Sequence, residues 1–221
     1  MKLETILPEQ YLYPSERLSE ILFGLVMMLT VTSVSSIGMK EGDGSTHFLL
    51  LAALGTNTAW GIVDAAIYII TNVFERGRMS RMASEITDLK KREAIAQIED
   101  ELEGTVVSVL DPKDKRKIAT MVYNAVYLAR PPPVRILRED VVGAFWVFLL
   151  VFVSVLPPAL PFLLWSEVIT ATLASHTIAI FMLFVVGFWY GSYIEADRLR
   201  FALGMTSLGL LIVIVTVLLG G

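Results

Sequence analysis

Asp64 lies near the middle of an apolar run, residues 47–73, that is otherwise uncharged and long enough to cross a membrane. A carboxylate at bilayer depth costs about 2.5–3.5 kcal/mol on the insertion scale, so it persists where it has partners or work. Asn57, Gly61, Asp64, Tyr68, Asn72 and Glu75 follow one another at intervals of three or four residues. In a helix that spacing puts them on one face. One segment thus carries a polar stripe that ends in a second carboxylate. The chemistry open to Asp64 is a cation or a proton held on carboxylate oxygens inside a membrane. The competing reading is structural, with Asp64 tying helices together through Tyr68, Trp60 or an arginine of another span.

The elements that must position this stripe are membrane helices. The chain has 221 residues, of which 55% are hydrophobic, and its mean hydropathy is +0.65. Its apolar residues fall into runs at 21–37, 48–73, 141–164, 168–194 and 201–219. Each approaches or exceeds the roughly 20 residues that span a bilayer as a helix. The fold class expected is an all-α integral membrane protein with five transmembrane helices and a small helical cytoplasmic insertion between the second and third. Of the 18 Lys and Arg, only Lys40 falls on the face opposite the N-terminus and the 74–140 segment. That asymmetry puts the N-terminus and the insertion in the cytoplasm and the C-terminus on the other side. The N-terminal stretch, with Glu4, Glu9, Glu16 and Glu20, lacks the basic region of a cleavable signal. The chain has no cysteine, which excludes disulfides and thiolate metal sites, and its net charge of −4 argues against a nucleic-acid partner.

Three segments follow: 1–78, the lead-in and first two spans; 79–133, the insertion; and 134–221, the last three spans. Pro14 and Ser15 open the first helix, with Ser15 as the cap. Gly42 and Gly44 mark the outer turn after it. In the insertion, Met79, Met82, Ile86 and Leu89 keep a helical period, and Ile95, Ile98, Leu102, Val106 and Val109 resume it after a phase slip. Asp111 and Pro112 start another helix, as cap and first-turn proline, with Ile118, Met121, Val122, Ala125 and Leu128 on one side. Pro131, Pro132 and Pro133 close it. The third span ends in the proline-rich 156–161, and Gly187 and Gly191 in the fourth allow close helix approach.

This layout resembles the vacuolar iron transporter family, divalent-metal carriers of plant and yeast vacuoles with bacterial and archaeal relatives. The resemblance rests on the five spans with their helical insertion and on three motifs: RLSEILFGL at 17–25, ALGTNTAWGIVDA at 53–65, and LPPALP at 156–161. It implies transport of Fe²⁺ or Mn²⁺ out of the cytoplasm, in exchange for protons. It also implies a homodimer with the path between subunits, and an insertion that binds metal through glutamates. The similarity to prokaryotic members implies a plasma-membrane location. One departure stands out. Better-known members carry Asp-Gly in the first span, where this chain has Val26, Met27 and Met28. Asp64 takes over that role from the neighbouring helix in this reading.

The candidate metal residues are accordingly Asp64, Glu75, Glu20, Asn57, Met27, Met28, Glu85, Asp88, Glu99 and Glu103, with Asp64 also the proton-coupling group. Glu20 and Glu75 near the inner ends of their helices either receive metal or pair with Arg17, Arg76 or Arg78. Asn57 offers a carbonyl oxygen to a cation or satisfies the backbone. Met27 and Met28 are soft thioether ligands or flexible core filler. Glu85 with Asp88, and Glu99 with Glu103, are helix-face neighbours able to hold a hard divalent ion, or a solvated charged face interrupted by Lys90, Lys91 and Arg92. His176 reads as a solvated or hydrogen-bonded histidine near the outer interface. No nucleophile–base pair or phosphate loop is present, so no enzyme and no tightly bound cofactor is expected. The partners expected are membrane lipid, the divalent ion and a second copy of the chain. The alternative function is a non-transporting membrane scaffold that binds a partner through its cytoplasmic helices.

Overall fold

The computed structural model describes residues 12–37, 45–129 and 133–220. The helices are α1 (Pro14–Ile37), α2 (Thr46–Asp88), α3 (Lys91–Leu102), α4 (Pro112–Leu128), α5 (Arg138–Ala159), α6 (Pro161–Leu164), α7 (Val168–Tyr193) and α8 (Arg198–Gly220), with a 3-10 turn at Val106–Val109. Among the described residues no strand occurs. Helices α1, α2, α5, α7 and α8 are each long and apolar enough to cross a membrane. The protein is an all-α membrane protein. The outer turn with Gly42 and Gly44, and Pro131 and Pro132 after α4, lie outside the described residues.

The chain divides into two units, residues 1–68 with 138–221, and residues 69–137. In the first, α1 packs on α5, α7 and α8. Leu18, Leu25 and Leu29 of α1 meet Ala179, Leu183 and Val186 of α7 in one apolar cluster. Met28 joins Leu49, Leu50 and Ala53 of α2, Val155 and Ala159 of α5, Phe162 of α6 and Ala171 of α7 in another. Lipid is as apolar as leucine, so burial alone drives little helix association there, and close contact at small residues does more. The α7–α8 seam shows this. A Cβ on Gly187 would sit 2.6 Å from the Phe201 carbonyl oxygen and 2.8 Å from the Ala202 Cα, and one on Gly191 would sit 2.8 Å from the Arg198 Cα.

Helix ends differ from expectation at α1 and α4, while α5 ends within the proline-rich 156–161 as expected. Pro14 is the first residue of α1 rather than lying outside it, since a first-turn residue needs no N–H. The capping contact comes from Glu16, whose Oε2 accepts from the Tyr13 N–H at 2.7 Å, while the Ser15 carbonyl accepts from the Ser19 hydroxyl at 2.9 Å. α5 continues through Pro157 and Pro158 to Ala159 before the chain breaks into α6. Prolines in the last turn of a membrane helix free only a few carbonyls, which neighbours can satisfy. Asp111 stands at the N-cap of α4 and Pro112 at its first turn, but the Asp111 side chain makes no capping bond.

The second unit is built on Ile86 of α2, Ala94, Ile95 and Ile98 of α3 and Ala119 of α4, flanked by Met82, Leu102, Val122, Tyr123 and Val126. The expected helical period past Leu102 does not hold. Glu103 and Gly104 end α3, Thr105 Oγ1 accepts from the Val107 N–H at 3.2 Å, and Val106 and Val109 face outward at 84% and 81% exposure. Glycine is a poor helix former and threonine competes for the backbone, so the chain turns there. Met121 and Leu128 are exposed as well.

Candidate metal site

The polar stripe of α2 turns inward in the membrane unit. Asn57 is fully buried, and Asp64 and Tyr68 are half-buried, while Ile62, Val63 and Ile67 on the other side are exposed. The hydrophobic residues thus face lipid, and the stripe faces α1 and α5. Phe23 of α1 meets Trp60 edge-on at 6.0 Å between ring centroids. Tyr68 lies against Gly143 of α5, so closely that a Cβ there would collide with its hydroxyl. Tyr68 is itself held by a polar or ring contact.

Asp64 and Glu20 lie near enough for their charges to interact. Glu20, half-buried on α1, lies within electrostatic range of the Asp64 carboxylate, and Glu16 one turn earlier adds to the same field. Asp64 Oδ2 is buried with no hydrogen-bond partner. Two turns outward, Asn57 donates from Nδ2 to the Ala53 carbonyl at 2.9 Å. Its Oδ1 is buried and unpartnered. Buried polar atoms are nearly always satisfied, and an exception signals a ligand, an ion or a water. Two carboxylates within one another's field, one with an unsatisfied oxygen, can take up a cation or protons, and a neutral carbonyl oxygen lies further along the same helix face.

The other candidates are dispersed. Met28 is fully buried in the apolar cluster with Leu49 and Phe162, and Met27 is half-buried. Glu75 belongs to the second unit, where its Oε2 accepts from Arg78 Nε at 3.1 Å. Glu85 accepts from Gln97 at 3.5 Å, and Glu103 from Lys115 at 2.7 Å. Glu99 and Glu103 line a cleft of about 390 Å³ with Lys113, Lys115 and Arg116. Asp88 is exposed at the end of α2. Lys117 on the same helix as Lys115 is raised above its ordinary pKa, first by its hydrogen bond to Asp114 and then by that carboxylate's charge. Among the described residues, no three of His, Asp and Glu converge on a metal position within a single chain.

Sequence reasoning did not single out two buried charges of the membrane unit. Arg17, 6% exposed, donates from Nε to the Leu12 carbonyl at 3.0 Å, and Asp140 is 3% exposed in the first turn of α5. Both are engaged. Asp140 sits where acidic residues ordinarily favour a helix N-terminus, so its position carried no signal of burial. His176, read as solvated or hydrogen-bonded, is the latter: it is half-buried on α7 and hydrogen-bonded to α1.

Comparison with known proteins agrees with the architecture. No curated protein matches the chain. The model of the VIT family matches residues 74–221, well over half of the sequence. The match begins at Phe74, so α1 and the Asp64 turn of α2 lie ahead of it. The chain belongs to the VIT family, the vacuolar iron transporters, and is thereby one of the membrane metal-ion transporters.

Proposed function

We propose that this protein is a secondary transporter that carries Fe²⁺ or Mn²⁺ out of the cytoplasm in exchange for protons, working as a homodimer. The observation that carries this reading is Asp64 Oδ2, buried and unpartnered within a span, with the Glu20 carboxylate of α1 inside its electrostatic range. Two such carboxylates are equally neutralised by one divalent ion or by two protons. Loading with metal therefore displaces protons, and protonation releases metal, because both compete for the same oxygens. That gives exchange without net charge left in the membrane. Asp64 supplies from α2 the acid that the first span lacks at Val26, Met27 and Met28, and Asn57 offers the next oxygen along the same helix face.

The cytoplasmic carboxylates Glu85, Asp88, Glu99 and Glu103, with Glu75, collect the ion ahead of the membrane step. Glu75, Glu85 and Glu103 hold only side-chain ion pairs or a hydrogen bond near the surface, worth little and easily exchanged for a metal. Met28 is a packing residue, and Met27 flanks the path. The N-terminus and insertion face the cytoplasm of a prokaryotic cell.

The test is exchange in sealed liposomes. An inward Mn²⁺ gradient should drive Mn²⁺ flux and an opposite pH change of about two protons per ion, as charge balance between two carboxylates requires. Flux without a pH change would remove the exchange, and absence of flux with any divalent metal would favour a scaffold.

A further inference from the structure

The outer half of the α1–α7 contact holds a second polar group that the Glu20–Asp64 pair does not explain. His176 Nε2 lies 3.0 Å from Thr32 Oγ1 and 3.4 Å from Ser33 Oγ. Thr32 and Ser33 are 0% and 1% exposed. Thr172 and Ser175 share the α7 face with His176, on an arc of about a third of the helix circumference. They are 8% and 0% exposed, and both hydroxyl oxygens are buried without a partner. Other hydroxyls in these spans bond back to their own helix, among them Thr30, Thr58, Thr177, Thr206 and Thr216. Thr172 and Ser175 forgo that bond. A buried hydroxyl left unsatisfied in a membrane points to an occupant.

The hydrogen bonds also bear on the histidine. A Thr32 hydroxyl hydrogen given to the Met28 carbonyl at 2.7 Å leaves its oxygen to accept from His176. The tautomer that fits this arrangement carries its proton on Nε2 and leaves the Nδ1 lone pair for a ligand. No hydrogen bond engages Nδ1 among the described residues. An imidazole that donates from one nitrogen and keeps the other free is the usual state of a metal ligand. Along α1, Thr32 stands about 18 Å beyond Glu20, at 1.5 Å per residue, and the unpartnered Asn57 oxygen comes between.

We infer that His176, with the unpartnered hydroxyls of Thr172 and Ser175 beside it on α7, forms an outer station for a first-row divalent metal ion, which binds at Nδ1, while Thr32 and Ser33 hold the ring at Nε2. Imidazole suits such metals and not magnesium or calcium. The Thr172 and Ser175 hydroxyls are neutral oxygens, so the ion is held more weakly than by two carboxylates, which suits a release position. Thr32 is a positioning residue that holds the ring in its ligating tautomer. The inference rests on the transport reading for its place in a path, but its test reads binding alone.

The test uses tag-free full-length protein loaded with Mn²⁺, followed by pulsed electron paramagnetic resonance, which detects nitrogen coordinated to the ion. The chain has two histidines, and His47 is exposed near the start of α2, so the signal can be assigned. Imidazole nitrogen modulation is expected in the wild type and in His47→Gln, and should vanish in His176→Gln. Thr32→Val keeps the imidazole but should weaken Mn²⁺ binding at this station about 10–100-fold, as loss of a ligand's orienting partner does, with Thr32→Ser restoring it. Absence of nitrogen modulation in the wild type, its survival in His176→Gln, or unchanged affinity in Thr32→Val would overturn the inference. None of these results bears on Asp64, which is judged by flux.

Discussion

Glu20 and Asp64 act as one group if a single ion sits between them, and that makes their substitutions non-additive. Glu20→Gln and Asp64→Asn should each lower Mn²⁺ flux at least about tenfold, in line with losing a charged interaction of 1.5–3 kcal/mol. The double variant should be no worse than the poorer single one. Multiplying losses in liposome flux would show two independent groups. Gly143→Ala probes the same place without touching a carboxylate. Its Cβ would collide with the Tyr68 hydroxyl, so flux should fall while membrane insertion persists. The Asp64 stripe was legible in the sequence because a charge in an apolar run has few explanations and a helical period shows which neighbours share its face. The Glu20 pairing was not, since periodicity within one helix says nothing about which helix it meets. The bond between His176 and Thr32 joins residues 144 positions apart, and no local pattern carries it.

At the scale of the helices, the α7–α8 seam gives a clean contrast between two kinds of glycine. Gly187→Ala forces a Cβ against backbone atoms of α8, which cannot move as a flexible side chain does. Overpacking of this kind costs about 1–3 kcal/mol and should lower the melting temperature in detergent. Gly204→Ala in α8, with nothing within 4 Å of the added carbon, should leave it unchanged or slightly raised. Equal effects at the two sites would contradict the seam. The helices of the second unit carry their own prediction. If Glu85, Asp88, Glu99 and Glu103 gather metal, Mn²⁺ should raise the melting temperature by mass action, and glutamine at all four should abolish that shift. An unchanged shift would return them to a solvated face. Helix existence was readable from apolar runs and turn residues. The 43-residue length of α2 was harder to read, because the change from lipid-facing to amphipathic sequence after Phe74 looks like a boundary although the backbone continues. The exposed 3-10 turn at Val106–Val109 was hidden by valines that fit a helical period.

For the whole molecule, the distribution of basic residues predicts an orientation that labelling can check. The chain lacks cysteine, so single cysteines placed at Ser45 and Ser108 report sidedness without background. They should label from opposite faces of the membrane, and labelling from one face would invert the proposed topology. The class of fold was legible from hydropathy and length alone, and the family from layout and three short motifs. The family match runs from Phe74 onward, and thus leaves the Glu20–Asp64 pair to be argued from chemistry rather than from kinship. The most direct test of that argument is Asp64→Asn in liposomes, checked for folding by its melting curve and for dimerisation by size. The change keeps size and much of the hydrogen bonding but removes the charge that a cation or exchanged proton needs. The expected result is a folded, dimeric protein with no Mn²⁺ flux and no coupled pH change. Wild-type flux from a well-folded Asp64→Asn protein would contradict the account.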